Sequence, residues 1–144
     1  MSQHIIYDYA IKLLGLPYRW GGNSALVGFD CSGLVLELLT AAGVWPHGED
    51  SSAQGIFNKF QDASDHNLID FGALAFYGRS QDSITHVGFC LDKFTTIEAG
   101  GGGQRTTSFE AAKDSGAVVR IRPINYRRDL VAILMPQYAS QGDS

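Results

Sequence analysis

Cys31 stands in Phe29-Asp30-Cys31-Ser32-Gly33, where a loop gives way to a helix. The stretch after it, Leu34-Val35-Leu36-Glu37-Leu38-Leu39-Thr40-Ala41-Ala42, is strongly apolar, helical in pattern and free of proline. The segment before it, Pro17-Tyr18-Arg19-Trp20-Gly21-Gly22-Asn23, is turn-rich and cannot be helix. A thiol in the first turn of a helix feels the positive end of the dipole and lies near unpaired backbone N–H groups. That setting favours thiolate, the nucleophilic species. The competing reading is a small buried hydrophobe, the usual state of a free cysteine.

A cysteine nucleophile needs a base, and the base needs an orienting group. His4 falls in the N-terminal segment, and His47 and His66 lie in polar connections, so all three read as surface histidines. His86 differs, because it begins the strand His86-Val87-Gly88-Phe89-Cys90-Leu91. Alternation puts His86, Gly88 and Cys90 on one face, and Gly88 leaves room there for the Cys31 helix to approach. Cys90 is then about 13 Å along the strand from His86, at roughly 3.3 Å per residue. It reads as a packed core thiol, with a resolving cysteine or a disulfide to Cys31 as the minority alternative. If Asp92-Lys93 makes a tight turn, Glu98 returns nearly opposite His86 and can orient the ring. Standing alone, Glu98 would read as a solvated strand-end charge.

The elements that must position these groups follow from the pattern. Helices are expected over His4 to Leu14 (Ile5, Tyr9 and Leu13 facing inward, Gly15 as stop), over Cys31 to Ala42, and from a cap at Ser51-Ser52 to Phe60. The period then changes, and 72–77, 85–91, 94–99, 117–121 and 130–135 read as strands. Helices first and strands afterwards predict an α+β fold, with N-terminal helices packed on a central antiparallel β-sheet. One catalytic domain is expected over 1–136, with 137–144 as a flexible tail. Gly100 to Gly103 reads as a loop that is either flexible or closely approached.

Composition narrows the function classes. The chain has 144 residues, 44% hydrophobic and 18% charged, enough for one domain with a real core. A net charge of −4 and no basic stripe interleaved with aromatics argue against nucleic acid. Arg120, Arg122, Arg127 and Arg128 form a short basic cluster; Arg120 and Arg122 alternate with apolar residues and read as the solvated face of a strand, with a functional anionic site as the minority alternative. The N-terminus has no basic and apolar leader pattern, and no run has the length of a membrane span. There is no CxxC and no tight Cys/His cluster, so a structural zinc site is not expected. Cys31, His86 and Glu98 make a complete nucleophile–base–orienter set, so no metal or other cofactor is expected either.

Taken together, the motifs resemble the NlpC/P60 family of papain-like cysteine peptidases that act on bacterial cell-wall peptides. Pro17-Tyr18-Arg19-Trp20-Gly21-Gly22 is similar to its first motif and Asp30-Cys31-Ser32-Gly33 to its nucleophile motif. Ser51-Ser52-Ala53-Gln54 is similar to a helix start that often follows, and His86-Val87-Gly88 to the histidine motif. Glu98 falls at the family's third polar position, most often a histidine.

The resemblance implies a papain-like fold and a role for each matched residue. Cys31 would attack the scissile carbonyl, with His86 as base and then acid and Glu98 as orienter. Tyr18 would hold or polarise the substrate carbonyl, and the Cys31 N–H would serve the oxyanion. Tyr18, Asp30 and Ser32 would grip the free amine of a stem peptide in members that cleave after D-glutamate. Asp30 has a plain alternative as a helix cap, and Ser32 as a first-turn residue.

The implied activity is hydrolysis of peptidoglycan stem peptides or muropeptides at the D-glutamyl–diamino acid bond. An N-acetylmuramoyl-L-alanine amidase or injected amidase effector is a second enzyme reading. A phage tail structural or binding module with secondary hydrolysis is a third. The Ile97-Glu98-Ala99-Gly100-Gly101-Gly102-Gly103 segment resembles phage-borne versions, so phage-particle or secretion-device partners fit. Without a leader pattern, the expected routes are cytoplasmic recycling, release by lysis or delivery by such a device. The acidic balance favours small soluble fragments over intact wall.

Overall fold

The computed structural model describes residues 2–24, 28–103 and 105–139. α1 spans Gln3–Lys12. Its buried stripe is Ile6, Ala10 and Leu13, whereas Ile5 is 63% exposed. The expected stripe through Ile5, Tyr9 and Leu13 is therefore corrected. Steps of four and four drift off a face that turns every 3.6 residues, and steps of four and three stay on it.

β1 (Asn23–Ser24) and β2 (Gly28–Phe29) form a short antiparallel ribbon that leads into α2 (Cys31–Ala41). Leu34, Val35, Leu38 and Leu39 of α2 are fully buried, which makes it the central helix of the core. α3 (Ala53–Phe60) follows, capped by Ser52, whose hydroxyl accepts from Gly55 N at 3.0 Å. Its Ala53, Ile56, Phe57 and Phe60 are buried, and Phe57 meets Phe76 edge-on.

The remaining elements are β3 (Asp65–His66), β4 (Leu74–Ser80), β5 (Ser83–Cys90), β6 (Thr95–Gly100), α4 (Phe109–Ser115), β7 (Val118–Pro123) and β8 (Leu130–Met135). The six strands make one antiparallel sheet in the order β3-β8-β4-β5-β6-β7. The α+β expectation holds, with one departure. α4 interrupts the run of strands, capped by Ser108 and stopped by Gly116 at φ 67°. It buries only Ala112, so it carries almost no apolar period to read from the sequence.

Strand residues divide between two clusters. Leu74, Phe76, Val87, Phe89, Ile97 and Leu134 join the helices in the main core. Ala73, Ala75, Tyr77, Cys90, Ile124 and Ile133 form a smaller second cluster. Cys90 is fully buried there as a free thiol, and Cys31 is also free. Within the segment expected as a tail, the Tyr138 hydroxyl donates to Gly72 O at 2.6 Å, and residues 140–144 lie outside those described. Among the described residues, no helix is long and apolar enough to cross a membrane.

Candidate active site

Cys31 is the first residue of α2, and the turn that delivers it is held by Asp30. The Asp30 carboxylate accepts from Gly33 N at 2.7 Å and from Gly21 N at 3.0 Å, so one side chain ties the helix start to the preceding loop. Ser32 Oγ donates to the same carboxylate at 3.3 Å. Burial raises the Asp30 pKa, and these bonds offset part of that rise. Gly33 has no room for a side chain, because a Cβ there would collide with Gly22 O and lie 2.9 Å from Asp30 Oδ1. The Cys31 amide opens the helix, where N–H groups have no intrahelical acceptor. The sulfur is partly exposed and lies 4.0 Å from Thr85 O.

His86 is buried on β5, with its ring 5.5 Å from that of Tyr77. Nε2 lies 3.3 Å from Glu98 Oε2, an ion-pair contact, and has no hydrogen-bond acceptor of better geometry among the described residues. With Nε2 directed at Glu98, Nδ1 is the nitrogen left for Cys31. Burial opposes the imidazolium, but hydrogen bonding with Cys31 and Glu98 and their charges outweigh it. The net effect lifts the pKa from 6.5 to about 9.

Glu98 is fully buried on β6. Its Oε2 also accepts from the Tyr126 hydroxyl at 3.0 Å and from Arg120 Nε and Nη2 at 3.4 Å. Burial alone would raise the Glu98 pKa, yet His86, Tyr126 and Arg120 together hold it below the ordinary 4.5. The alternative of a solvated charge is thereby removed.

Three expectations need correction here. Gly88 does not admit the Cys31 helix, because a Cβ on Gly88 would point at Thr96 Cβ, 3.1 Å away. The neighbouring Val87 and Phe89 face the helices instead. The turn after β5 is longer than Asp92-Lys93, since Phe94 and Thr95 both donate backbone N–H groups to Asp92 Oδ1 at 2.8 Å. That shifts the pairing to Phe89↔Ile97 and Cys90↔Thr96, so Glu98 does not lie directly across from His86. Finally, Arg120 is not a solvated residue. It is the direct cross-strand partner of Glu98, with a side chain only 21% exposed.

A cleft of about 680 Å³ runs past these groups. Its lining includes Tyr18, Trp20, Asp30, Ser32 and Asp50, together with Arg120, Tyr126 and Arg127. All six expected site residues, Cys31, His86, Glu98, Tyr18, Asp30 and Ser32, line it or stand directly behind it. Tyr18 is buried, and burial together with the charges of Cys31 and Asp30 raises its pKa, so its hydroxyl stays protonated. Gly102 lies against the Tyr18 ring, where a Cβ would overlap the aromatic carbons. The glycine run is thus closely approached at Gly100 and Gly102. His4, His47 and His66 are exposed and outside the cleft.

Sequence reasoning missed Tyr126, Arg127 and the inward role of Arg120. The available signal was the cross-strand parity of Arg120 with Glu98, which a correct register would have exposed.

Residues 15–122 match the model of the NlpC/P60 family. The bifunctional muramidase/DL-endopeptidase CwlT of Bacillus subtilis is 36% identical over 81 residues, covering 55% of this chain and 23% of that protein. The gamma-D-glutamyl-L-lysine dipeptidyl-peptidase of Bacillus subtilis is 31% identical over 120 residues, covering 83% of this chain and 36% of that protein. The chain therefore spans about a quarter to a third of these relatives. An NlpC/P60 family protein from Bacillus cereus has the same fold, with a TM-score of 0.69 at 20% identity, over 97% of this chain and 41% of that one.

Proposed function

The chain belongs to the NlpC/P60 family, and from that premise we propose that it is a cysteine-type hydrolase of peptidoglycan stem peptides, cutting the amide between D-glutamate and the diamino acid. The observation that carries the reading is the Cys31–His86–Glu98 chain at one cleft, with the nucleophile at a helix start and the base buried between it and a carboxylate. The names of two relatives, a DL-endopeptidase and a gamma-D-glutamyl-L-lysine dipeptidyl-peptidase, support the choice of bond.

The steps follow from the geometry. Cys31 Sγ adds to the scissile carbonyl carbon while the Cys31 N–H donates to the oxygen that gains charge. The imidazolium of His86 then protonates the leaving amine, the C–N bond breaks, and a thioester remains. A water molecule gives its proton to His86 and adds to the thioester carbonyl. The C–S bond breaks, which returns the Cys31 thiolate beside the His86 imidazolium, and the new carboxylic acid gives its proton to solvent as it departs. Glu98 keeps its charge throughout, orienting the ring and stabilising its cationic form. Tyr18, as a protonated donor beside the sulfur, holds the substrate carbonyl. Asp30, Ser32 and Asp50 form the acidic end of the cleft, suited to the free amine of a trimmed stem peptide.

Mass spectrometry of defined stem peptides, with and without the glycan, tests this on the wild type and Cys31→Ala. Release of L-Ala-D-Glu by the wild type alone is the expected result. Sugar freed from an intact peptide would replace the reading with an amidase. A lack of any Cys31-dependent product would replace it with a binding role.

A further inference from the structure

The geometry points to Arg120 and Tyr126 as positioning residues that hold the Glu98 carboxylate charged and aimed at His86. Their bearing on turnover rests on Cys31, His86 and Glu98 being the reacting set.

A fully buried carboxylate is costly unless it is paired and hydrogen-bonded. At Glu98 the stabilising contacts all fall on one oxygen. Oε2 takes the Tyr126 hydroxyl, both contacting nitrogens of Arg120 and the His86 contact, while Oε1 is buried with no hydrogen-bond partner among the described residues. His86 alone could neutralise the carboxylate only while it is itself protonated. In each catalytic cycle it gives up that proton to the leaving amine. Arg120 brings a guanidinium directly across the β6–β7 ladder from Glu98. It keeps Glu98 charged through the moment when His86 is neutral.

Tyr126 contributes direction. Its hydroxyl is the nearest donor to Oε2, and its ring is held from several sides. The Tyr77 ring lies 6.1 Å away, and the Arg120 and Arg122 guanidiniums lie 5.9 and 6.0 Å from its centroid. Gly100 completes the seat, since a Cβ there would overlap Glu98 Oε2 and lie 2.8 Å from Arg120 Nη2. The groups acting on the carboxylate therefore come from every neighbouring element. They are His86 of β5, Arg120 of β7, Tyr126 of the β7–β8 connection and Tyr77 of β4, with Arg127 near Tyr126 and Cys31 beyond His86.

The test is a carboxyl titration of the full chain labelled with ¹³C-glutamate, with Glu37, Glu49 and Glu110 as internal references and Glu98→Gln for assignment. Arg120→Met should raise the Glu98 midpoint by about one pH unit, a tenfold gain in proton affinity. Tyr126→Phe should raise the midpoint by about half a pH unit, a threefold gain in proton affinity. Arg120→Lys, which restores the charge without the fork, should stay nearer the wild type than Arg120→Met. On stem peptide, the acid limb of kcat/KM should move upward in the same order. Folded Tyr126→Phe and Arg120→Met proteins with an unmoved Glu98 midpoint would overturn the assignment, whatever their melting temperatures. A wild type that cleaves no stem peptide while the midpoints shift as stated would remove the proposed function and leave the carboxylate clamp standing.

Discussion

His86 and Glu98 meet at 3.3 Å, Nε2 to Oε2, without being cross-strand partners. Continued from Phe89↔Ile97 and Cys90↔Thr96, the β5–β6 register sets Glu98 across from Gly88 and His86 across from Gly100. The carboxylate thus reaches the imidazole along a diagonal, a separation a long side chain can span. On that continuation the positions facing both residues are glycines, which present no side chain of their own. A one-residue slip would turn Glu98 to the opposite face and end the contact.

The diagonal contact sets the pH range of the ion pair. His86 is lifted from 6.5 to about 9, so its cation is present below that value and is lost as pH rises through it. Glu98→Gln removes two of the influences that lift it. The basic limb of kcat/KM should move from about 9 toward 6.5, with kcat falling on the order of 100-fold. Profiles that superimpose on the wild type would show that Glu98 does not orient the base.

Stability should follow the same two groups. The contribution of Glu98, whose pKa is lowered from 4.5, is present above 4.5 and is lost as pH falls through its folded value. The contribution of His86, whose pKa is raised, is full below 6.5 and is lost as pH rises through about 9. Thermal melts of wild type and Glu98→Gln should therefore differ most between about pH 4.5 and 6.5, by about 3 kcal/mol. The gap should narrow on both sides of that window. A constant gap across pH would show that the loss is one of packing.

Cys90 should be chemically silent. It is fully buried, and desolvation followed by the charge of Asp92 pushes its pKa up to about 12. Peptide mapping after brief treatment with iodoacetamide should find the label on Cys31 alone. Cys90→Ser should keep its activity and lose about 1–3 kcal/mol of stability, because a hydroxyl replaces a thiol in an apolar cluster.

Asp30 should separate capping from binding. Asp30→Ala removes the acceptor of Gly33 N and Gly21 N, which costs about 1–2 kcal/mol or about 4 °C in Tm. Asp30→Asn keeps an acceptor and should melt close to the wild type. With the charge gone, its KM for a stem peptide bearing a free amine should rise about tenfold at little change in kcat. Equal KM values for the two proteins would leave Asp30 as a cap only.

The glycine loop offers an internal control. Gly102→Ala would drive a methyl group into the Tyr18 ring, whereas a Cβ at Gly103 meets nothing within 4 Å among the described residues. Gly102→Ala should lower kcat/KM about tenfold or more by displacing Tyr18 or the loop. Gly103→Ala should be indistinguishable from the wild type in the same assay.

Much of this was legible in the chain. The α2 start could be read because its cap, its glycine and its apolar run are consecutive. His86 stood out because an apolar run follows it, although β5 begins earlier, at Ser83, and His86 lies within the strand. The α1 face was misjudged because a four-residue step fits one helical turn but drifts over two. α4 was missed because a helix that buries one alanine leaves no periodic trace. The role of Arg120 was misread because alternation tells which residues share a face, not whether that face meets solvent or a buried acid.

The sequence by itself determined which residues could react and the order of elements that carries them, since caps, periods and motif spacing are local properties. Only the tertiary structure decided how Glu98 is held. Its pairing with Arg120, its hydrogen bond from Tyr126 and its diagonal reach to His86 depend on one turn length and one strand register. Those are settled by the packing of the whole sheet, and a shift of a single residue would turn every one of these side chains to the other face.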